Sequence, residues 1–467
     1  MKIKIIGITD NLILKEFSVI NQGFFKNAII IHDESPADIT VDFTNINIHE
    51  KSDYLKYYFK FLTGSCGKIQ PWGLLNGMRP TKLIHSGKKR GLSDEFLQNE
   101  FRNKYLISEE KLDLLLNVAN HQLQVISDLY YLEREVSIYI GIPFCPTRCA
   151  YCTFAAYATA PNKKWVKPFL SSLLEEIKIV GDFLKANNVK VTTLYLGGGT
   201  ATSLEVLQLE DVLNAITTHI CLFDDLREIT VEAGRPDTIS DEKLRLLKRF
   251  NVHRISINPQ TFHQSTLDTI GRHHTVDDII KKFYMAKNVG VKNVNMDLIV
   301  GLPNEDESAL AHSLAQINNL QPESLTVHML SFKRNSEMSN ERGLYTVASI
   351  EVLRKMANLT YDFAKNNDYI PYYLYRQKNI AGNLENIGYA KRGHECLYNI
   401  LMMEEAQNIL GLGVGASSKF LIGESVHNPK DLKTYIENHE LYAHKKIEML
   451  KLALDINAQS FTYNNPS

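Results

Sequence analysis

The chain has 467 residues, of which 44% are hydrophobic and 22% are charged, and its formal net charge at pH 7 is −1. This length predicts two or three domains with sizeable cores, and the balanced charge argues against binding to nucleic acid or to an anionic membrane surface. No apolar run approaches the roughly 18 residues that a bilayer span needs, and the first ten residues, MKIKIIGITD, lack the pattern of a signal peptide. We therefore expect a cytoplasmic protein.

The first 130 residues differ in pattern from the rest of the chain. Short apolar runs at Met1–Ile6 and Asn27–Ile31, and the alternating segment Ile39–Ile46, predict strands. Lys51–Leu62 and Glu110–Tyr130 have the periodicity of helices. These elements predict an N-terminal α/β accessory domain over residues 1–130, whose function the residues alone do not indicate.

From Val136 onward, apolar runs rich in β-branched residues alternate with amphipathic segments. The predicted strands are Ser137–Ile142, Thr192–Leu196, Glu228–Glu232, His253–Ile257, Asn293–Ile299 and Ser324–Met329. Helices are predicted between them near 163–187, 203–219, 240–250, 276–289 and 306–319. Nearly continuous apolar strands alternating with helices indicate a parallel sheet, and both an open partial barrel and a doubly wound sheet fit that count.

The positions of the polar residues favour the barrel. PFCPTRCAYC follows the first of these strands, GGGT follows the second, Glu232 ends the third, Gln260 follows the fourth, and the fifth carries Asp297. In a barrel such strand ends converge on one face, whereas a doubly wound sheet has a single switch-point crevice. We therefore predict an α/β fold with an open partial (β/α)6 TIM-like barrel over residues 131–340.

After about residue 340 the alternation stops. A helix is predicted over 345–366, and PYYLYRQKNIAGNLENIGYA predicts a short strand with loops. We expect a C-terminal α+β domain over residues 341–467 that covers the mouth of the barrel.

Three of the six cysteines lie close together in the motif CPTRCAYC, at Cys145, Cys149 and Cys152. Three thiolate ligands leave one iron of a [4Fe–4S] cluster free to chelate the amino and carboxylate groups of S-adenosylmethionine (SAM), whereas clusters that only transfer electrons normally have four cysteines. A zinc site or buried structural cysteines are the alternatives, but zinc sites usually pair CxxC units with further Cys or His. The remaining cysteines are expected to be ordinary thiols: Cys66, Cys221 and Cys396.

The glycine run LGGGT allows a ligand to approach the backbone closely, so Gly198, Gly199 and Thr200 are candidates for holding the methionine amino group of SAM. An ordinary turn is the alternative. Tyr151, just before the third cysteine, is a candidate for shielding the cluster or contacting adenine, and plain packing is its alternative.

Two carboxylates and one arginine complete the candidate set. Burying Glu232 or Asp297 at a strand end is costly unless the charge is paired. Each carboxylate therefore belongs either to a structural ion pair or to a ligand site, with Glu232 accepting from the SAM ammonium and Asp297 from the ribose hydroxyls. Arg272 is either a partner for the SAM carboxylate or a surface arginine.

Together, the motifs YIGIPFCPTRCAYC, LYLGGGT, VEAGRPDT, SINPQTF, GRHHT and NMDLIVGLP resemble the radical SAM family of HemN, the oxygen-independent coproporphyrinogen III oxidases, over about residues 136–420. GMRPTKL, YRQKNIAGNLENIGY and the long N-terminal extension are most similar to the HemZ subgroup. The resemblance implies that the three clustered cysteines ligate the [4Fe–4S] cluster. It also implies SAM-contacting positions at Tyr139, Gly198, Gly199, Thr200, Glu232, Gln260, Arg272, Asp297 and Ser331.

The resemblance further implies an activity. An external one-electron donor reduces the cluster, SAM yields a 5′-deoxyadenosyl radical, and two propionates of coproporphyrinogen III are oxidatively decarboxylated to give protoporphyrinogen IX. Two departures concern the substrate, because the HemN enzymes have a fourth cysteine where this chain has Phe154, and a histidine where it has Gly141. A heme chaperone and a SAM-dependent enzyme that modifies heme or a porphyrin remain the alternatives.

Overall fold

The computed structural model describes residues 1–25, 28–33, 35–46, 48, 50–68, 70–75, 77–331, 336–340, 342–377 and 383–463. The chain divides into two compact units, the first spanning Met1–Asn120 and the second beginning at His121. No helix in the described part of the chain is both long and apolar enough to cross a membrane.

The first unit contains a parallel three-stranded sheet in the order β2-β1-β3, with β1 at Lys2–Ile6, β2 at Ile29–Ile31 and β3 at Ile39–Asp42. Its helices are α1 (Asn11–Phe24), α2 (Lys51–Cys66), α3 (Thr81–Lys89), α4 (Asp94–Tyr105) and the start of α5 (Glu109–Val125). The core is aromatic, and the ring centroid of Phe17 lies 4.0 Å from that of Tyr58 and 5.5 Å from that of Phe43. The expected N-terminal α/β fold is confirmed.

One predicted helix of this region is shorter than expected. The segment Glu110–Tyr130 is helical only as far as Val125, and a 3-10 turn follows at Leu129–Tyr131. The apolar pattern continues beyond the helix because Ile126 and Leu129 are buried, so periodicity alone did not reveal the break. The predicted strand Asn27–Ile31 begins at Ile29, and Asn27 lies outside the described residues.

The second unit is built on a sheet that has eleven strands among the described residues. Six parallel strands occupy its centre, with neighbours in sequence paired in space. They are β4 (Val136–Ile142), β7 (Val191–Gly198), β8 (Glu228–Glu232), β9 (Arg254–Ser256), β10 (Asn293–Val300) and β11 (Ser324–Met329); the short strands β5 (Phe144–Cys145) and β6 (Tyr157–Ala158) form a separate ladder.

Helices connect these strands in the way a barrel requires. They are α6 (Thr159–Ala186), α7 (Val206–His219), α8 (Asp241–Arg249), α9 (Gln264–Thr269), α10 (Val276–Val289) and α11 (Glu307–Leu320). Their apolar faces cover strands such as β4, in which every residue except Tyr139 is buried. The prediction of an α/β fold with an open partial (β/α)6 TIM-like barrel is confirmed.

The C-terminal segment adds strands to both edges of these six. β13 (Asn386–Ala390) runs antiparallel to β11 and is followed by β12 (Ile370–Tyr375), whereas β14 (Asn408–Gly413) runs parallel to β4. β15 (Ser417–Lys419) and β16 (Ser425–His427) extend the sheet beyond β14. The remaining helices are α12 (Glu337–Asn340), α13 (Ile350–Asn366), α14 (Leu397–Glu404) and α15 (Leu432–Tyr463).

The compact units differ from the predicted domain limits of 1–130, 131–340 and 341–467. The first unit ends at Asn120, and the segment after residue 340 lies in the same unit as the barrel because its strands are hydrogen-bonded to β4 and β11. As a functional division, the three predicted domains stay a prediction.

A buried ion pair fixes the last helix to the barrel. Lys446 of α15 donates to Glu176 of α6, and both side chains are completely buried. The Glu176 carboxylate also accepts from the Gly413 backbone N–H at 2.8 Å, from Asn428 at 2.9 Å and from the Tyr435 hydroxyl at 2.7 Å. One carboxylate therefore connects α6, α15 and the end of β14.

Candidate cofactor and active site

The cysteine motif forms a loop that hydrogen bonds hold at several points. Cys145 lies in β5, and the Thr159 hydroxyl donates to the Cys145 carbonyl at 2.9 Å. The Cys152 N–H donates to the Cys149 carbonyl at 3.0 Å, and the Thr147 hydroxyl donates to the Gly271 carbonyl at 2.8 Å. None of the three cysteines forms a disulfide in the described part of the chain, and each is only partly exposed, so the loop offers a preformed set of sulfur ligands.

The GGGT turn lies directly against this loop. The N–H of Gly199 donates to the Ile142 carbonyl at 2.7 Å, the N–H of Thr200 donates to the Phe144 carbonyl at 2.8 Å, and the Thr200 hydroxyl lies 3.5 Å from the Cys145 sulfur. A Cβ at Gly199 would lie 2.6 Å from the Phe144 carbonyl oxygen and 3.0 Å from the Cys145 sulfur. Glycine is therefore required at this position, because a side chain would push the turn away from the cysteine loop that it supports.

The adjoining Gly198 adopts φ +104°, a conformation that favours glycine. Gly198, Gly199 and Thr200 were predicted to hold the methionine amino group, and their contacts in the structure are with the segment that leads into Cys145.

Two buried guanidinium groups face the second cysteine. A terminal nitrogen of Arg235 lies 3.8 Å from the Cys149 sulfur, and a terminal nitrogen of Arg272 lies 4.0 Å from it. Burial raises the pKa of the Cys145 thiol to about 11, so cluster ligation requires that the metal displace its proton. Three thiols beside two cations suit a cofactor held by thiolates, and the donor set therefore fits a [4Fe–4S] cluster.

The described residues do not form a site for a single metal ion. No group of three His, Cys, Asp or Glu side chains among the described residues is arranged to hold one ion. That test concerns one ion and not a cluster, in which bridging sulfides separate the cysteine ligands.

Several buried polar atoms near the carboxyl ends of the barrel strands have no hydrogen-bond partner among the described residues. They are Oδ1 of Asn258, Oε1 of Gln260, Nε of Arg272 and Oγ of Ser331. Buried polar atoms are nearly always paired in native proteins, so an unpaired group of this kind fits a polar ligand. Gln260 also adopts φ +69°, a strained backbone conformation of the kind that collects at functional sites.

Arg272 is a buried residue and not a surface arginine. One terminal nitrogen donates to the carbonyls of Gly234 and Asn258, both at 2.7 Å, while the other lies 3.3 Å from the Tyr151 hydroxyl and also faces Cys149. Arg272 therefore ties the ends of β8 and β9 to the cysteine loop, and Tyr151 contacts it as part of the same cluster of side chains.

The pKa values of the two candidate carboxylates move in opposite directions. Burial raises the pKa of Glu232 to about 7, although the Tyr195 hydroxyl donates to Glu232 at 2.6 Å. Burial alone would raise the pKa of Asp297 as well, but His328 and Asn295 outweigh it and lower that pKa. Asn295 donates to Asp297 at 2.7 Å, and Nε2 of His328 lies 3.7 Å from its other oxygen.

Three tyrosine rings pack beside Glu232. The ring centroid of Tyr195 lies 6.0 Å from that of Tyr139 and 4.8 Å from that of Tyr398. Burial raises the pKa of each of these phenols, so they stay protonated at neutral pH. The predicted residue Tyr139 thus belongs to an aromatic wall that limits access of water to the Glu232 carboxylate.

The raised pKa of Glu232 leads to a prediction about stability. The unfolded chain ionises Glu232 near its ordinary pKa, whereas the folded protein keeps it protonated until about pH 7. The contribution of this group to stability is therefore present at low pH and is lost as pH rises toward about 7. We expect Glu232→Gln to stabilise the cluster-free protein by about 2–3 kcal/mol at about pH 8, and by little at about pH 5.

Urea unfolding of both proteins at the two pH values measures this difference. Tyr195→Phe is the matched control, because it keeps the titrating carboxylate and removes only its hydrogen-bond donor. A difference between Glu232→Gln and the unchanged protein that is the same at both pH values would contradict the assigned pKa.

The two departures from the HemN pattern have different surroundings. A Cβ at Gly141 would lie 3.1 Å from the Val414 carbonyl oxygen, so a histidine needs a shift of the chain just after β14. The side chain of Phe154, two residues beyond the third cysteine, is 64% exposed. The strand packing thus accounts for Gly141, and nothing in the structure explains Phe154.

A cavity of about 920 Å³ opens at the opposite, amino-terminal ends of the barrel strands. Three of the cationic side chains that line this cavity already have partners. Arg227 pairs with Asp128, Lys248 donates to the Val289 carbonyl at 2.6 Å, and a terminal nitrogen of Arg254 donates to a serine hydroxyl at 3.0 Å. The cysteine loop and the unpaired polar atoms of the described residues lie at the other end of the barrel, which is the candidate site.

Sequence reasoning missed four residues of the site: Tyr195, Arg235, Asn258 and His328. The motifs LYLGGGT, VEAGRPDT and SINPQTF contain the first three of them, but nothing in a motif shows which of its members belongs to the site.

Comparison with known proteins agrees with this geometry. The radical SAM superfamily profile matches residues 139–317. The oxygen-independent coproporphyrinogen-III oxidase-like protein HemZ of Bacillus subtilis (strain 168) is 48% identical over 399 residues, which cover 84% of this chain and 80% of HemZ. The heme chaperone HemW of the same organism is 30% identical over 303 residues, covering 64% of this chain and 75% of HemW.

A solved structure, that of the Escherichia coli coproporphyrinogen III oxidase HemN, described as a radical SAM enzyme, has the same fold. Its TM-score is 0.55 at 23% sequence identity, over 69% of this chain and 72% of HemN. The chain therefore belongs to the HemN, HemZ and HemW family of the radical SAM superfamily, and is a radical SAM enzyme whose cofactors are a [4Fe–4S] cluster and SAM.

Proposed function

We propose that this enzyme oxidatively decarboxylates propionate side chains of a porphyrinogen without oxygen, with coproporphyrinogen III as substrate and protoporphyrinogen IX as product, in the cytoplasm. The observation that carries the proposal is that polar atoms of Gln260, Arg272 and Ser331 are buried without a partner among the described residues, at the same end of the barrel as the cysteine loop, where SAM can bind. The substrate class is supported by the similarity to HemZ and HemN.

In this proposal, Cys145, Cys149 and Cys152 hold the cluster. When bound, the reduced cluster and SAM supply a 5′-deoxyadenosyl radical that can abstract hydrogen from an unactivated carbon. The chain itself binds and orients: a SAM ammonium beside Glu232 would favour its ionised form, which accepts from that ammonium, and its Tyr195 partner fixes the carboxylate. His328 and Asn295 keep Asp297 ionised, so that it accepts from the ribose hydroxyls.

Arg272 has a different part in binding. One of its terminal nitrogens already donates to two carbonyls, whereas Nε has no acceptor among the described residues and can donate to a ligand. We assign that donor to the SAM carboxylate. The tyrosines beside Glu232 exclude water from the carboxylate and so strengthen its attraction for a cation.

The substrate reaction needs one electron from an external donor to start each round. Loss of hydrogen from a propionate carbon, then of CO2 and one electron to an acceptor, leaves a vinyl group, and two rounds convert coproporphyrinogen III to protoporphyrinogen IX.

An anaerobic assay tests the proposal. The reconstituted enzyme is given SAM and dithionite with an electron acceptor, with and without coproporphyrinogen III carrying labelled propionate carboxyls. We expect 5′-deoxyadenosine and labelled CO2 to appear together, and Cys221→Ala to behave like the unchanged enzyme. Deoxyadenosine without CO2 would contradict decarboxylation while leaving SAM cleavage intact.

A heme chaperone is the second candidate, favoured by the 30% identity to HemW and by Phe154 in place of the fourth cysteine of the HemN enzymes. Stoichiometric heme binding without porphyrinogen turnover would support it. A methylated tetrapyrrole among the products would instead indicate a SAM-dependent modifying enzyme.

A further inference from the structure

Arg235 is a buried arginine that is not among the SAM contacts proposed above. It follows β8 in the motif VEAGRPDT, and only 2% of it is exposed. A buried guanidinium is costly unless its charge and its N–H groups find partners. Two of its nitrogens donate to the Asp237 carboxylate at 3.1 and 2.9 Å, which forms a bidentate pair.

The third nitrogen of Arg235 points into the cysteine loop. It donates to the Thr147 carbonyl at 3.2 Å and to the Thr147 hydroxyl at 3.0 Å, and it lies 3.8 Å from the Cys149 sulfur. One side chain therefore clamps the backbone between the first two cysteines and places a positive charge beside the second.

The other titratable groups around this guanidinium do not cancel its effect at the sulfur. Arg272 adds a second cation at 4.0 Å from Cys149. His274 is buried, and neither of its ring nitrogens has a partner in the described part of the chain. Burial and the two arginines lower its pKa to about 3, so it stays neutral. Asp237 supplies the negative charge of the group, and its side chain is 28% exposed.

We propose that Arg235 is a positioning residue for the cluster that also raises the reduction potential of the cluster through its charge and its N–H contact with Cys149. This inference rests on the [4Fe–4S] cofactor but not on the identity of the substrate. Reduction adds one negative charge to the cluster, and a buried cation near a ligand sulfur stabilises the reduced state more than the oxidised state. Asp237 orients Arg235 and offsets part of its charge.

Three variants and a control separate electrostatics from structural support. Arg235→Met removes the charge and the clamp, Arg235→Lys keeps the charge, and Asp237→Asn removes the opposing charge. Arg245→Met is the matched control, because Arg245 forms a similar pair with Asp241 on α8 but its side chain is 69% exposed. Each protein is reconstituted anaerobically without SAM, and its iron and sulfide contents and its EPR-monitored reduction midpoint are measured.

For Arg235→Met we expect the equilibrium constant for one-electron reduction to fall about tenfold, which corresponds to a midpoint about 59 mV more negative. Asp237→Asn is expected to shift the midpoint the other way, and Arg235→Lys and Arg245→Met are expected to remain near the unchanged protein. The opposite signs of the first two shifts are the signature of a charge effect, since a purely structural role lowers cluster content without that pattern.

If Arg235→Met holds full iron at an unchanged midpoint, the inference is wrong. If Arg235→Met takes up no cluster, Asp237→Asn decides, and an unchanged or more negative midpoint in that variant overturns the proposal. Failure of the unchanged protein to take up a cluster would instead contradict the assigned cofactor, so the two failures are distinguishable.

Discussion

Replacement of Cys149 by alanine is expected to abolish both the cluster and SAM cleavage. The loop supplies three sulfur ligands, and Cys149 is the one that both buried guanidinium groups face. With two cysteine ligands remaining, two irons of the cluster would lack a protein ligand, and the two buried arginines would lose the sulfur that they face. We expect the iron content and the 5′-deoxyadenosine yield of the reconstituted variant to fall to background.

Cys221→Ala is the matched control for this experiment. Cys221 is also a partly exposed free thiol, and it lies outside the motif, between α7 and β8. Its replacement is expected to leave iron content, absorption spectrum and deoxyadenosine yield unchanged. A Cys149→Ala enzyme that still cleaved SAM would contradict the assignment of the cluster ligands.

The second large effect is expected at Lys446. Replacing it with methionine leaves the Glu176 carboxylate completely buried without its cation. Breaking one side of a buried ion pair typically costs about 3–5 kcal/mol, and the hydrogen bonds from Gly413, Asn428 and Tyr435 offset only part of that cost. We expect a corresponding fall in the urea midpoint of the cluster-free protein.

A control on the same helix and a double variant complete the test. Lys433 pairs with Glu437 one turn further along α15, but both side chains are largely exposed, so Lys433→Met is expected to change stability by less than about 1 kcal/mol. Glu176→Gln combined with Lys446→Met is expected to recover part of the loss, because no unpaired charge remains buried. Equal urea midpoints for Lys446→Met and Lys433→Met would contradict the prediction, because the buried pair would then contribute no more to stability than the exposed pair.

The barrel was predictable from sequence because its strands are buried on both faces. Glu228–Glu232 and Ser324–Met329 were predicted with their observed bounds, since both contain the β-branched residues that favour strands. β14 was not predicted. Its sequence NILGLG contains two glycines, and its place beside β4 depends on pairing with a strand far away in the chain. Periodicity carries no information about such a partner.

The site divides in the same way. The spacing of the three clustered cysteines predicts them as cluster ligands, whereas the proximity of Arg235 to Cys149 arises only from folding. Tyr195 sits in an apolar strand, where the sequence predicts packing, and only the structure shows that its hydroxyl meets Glu232. The pKa shifts of Glu232 and Asp297 depend on neighbours from several strands and have no counterpart in any local motif.

The pairing of β14 with β4 has a consequence for synthesis of the protein. β4 leads directly into the cysteine loop, yet its partner lies about 270 residues later in the chain. At about 5–20 residues per second, a ribosome needs roughly 14–54 s to make that stretch. During this interval one edge of β4 stays unpaired, and an unpaired edge invites association with other chains. Loading of the cluster into a completed sheet therefore has to wait until translation has passed Gly413.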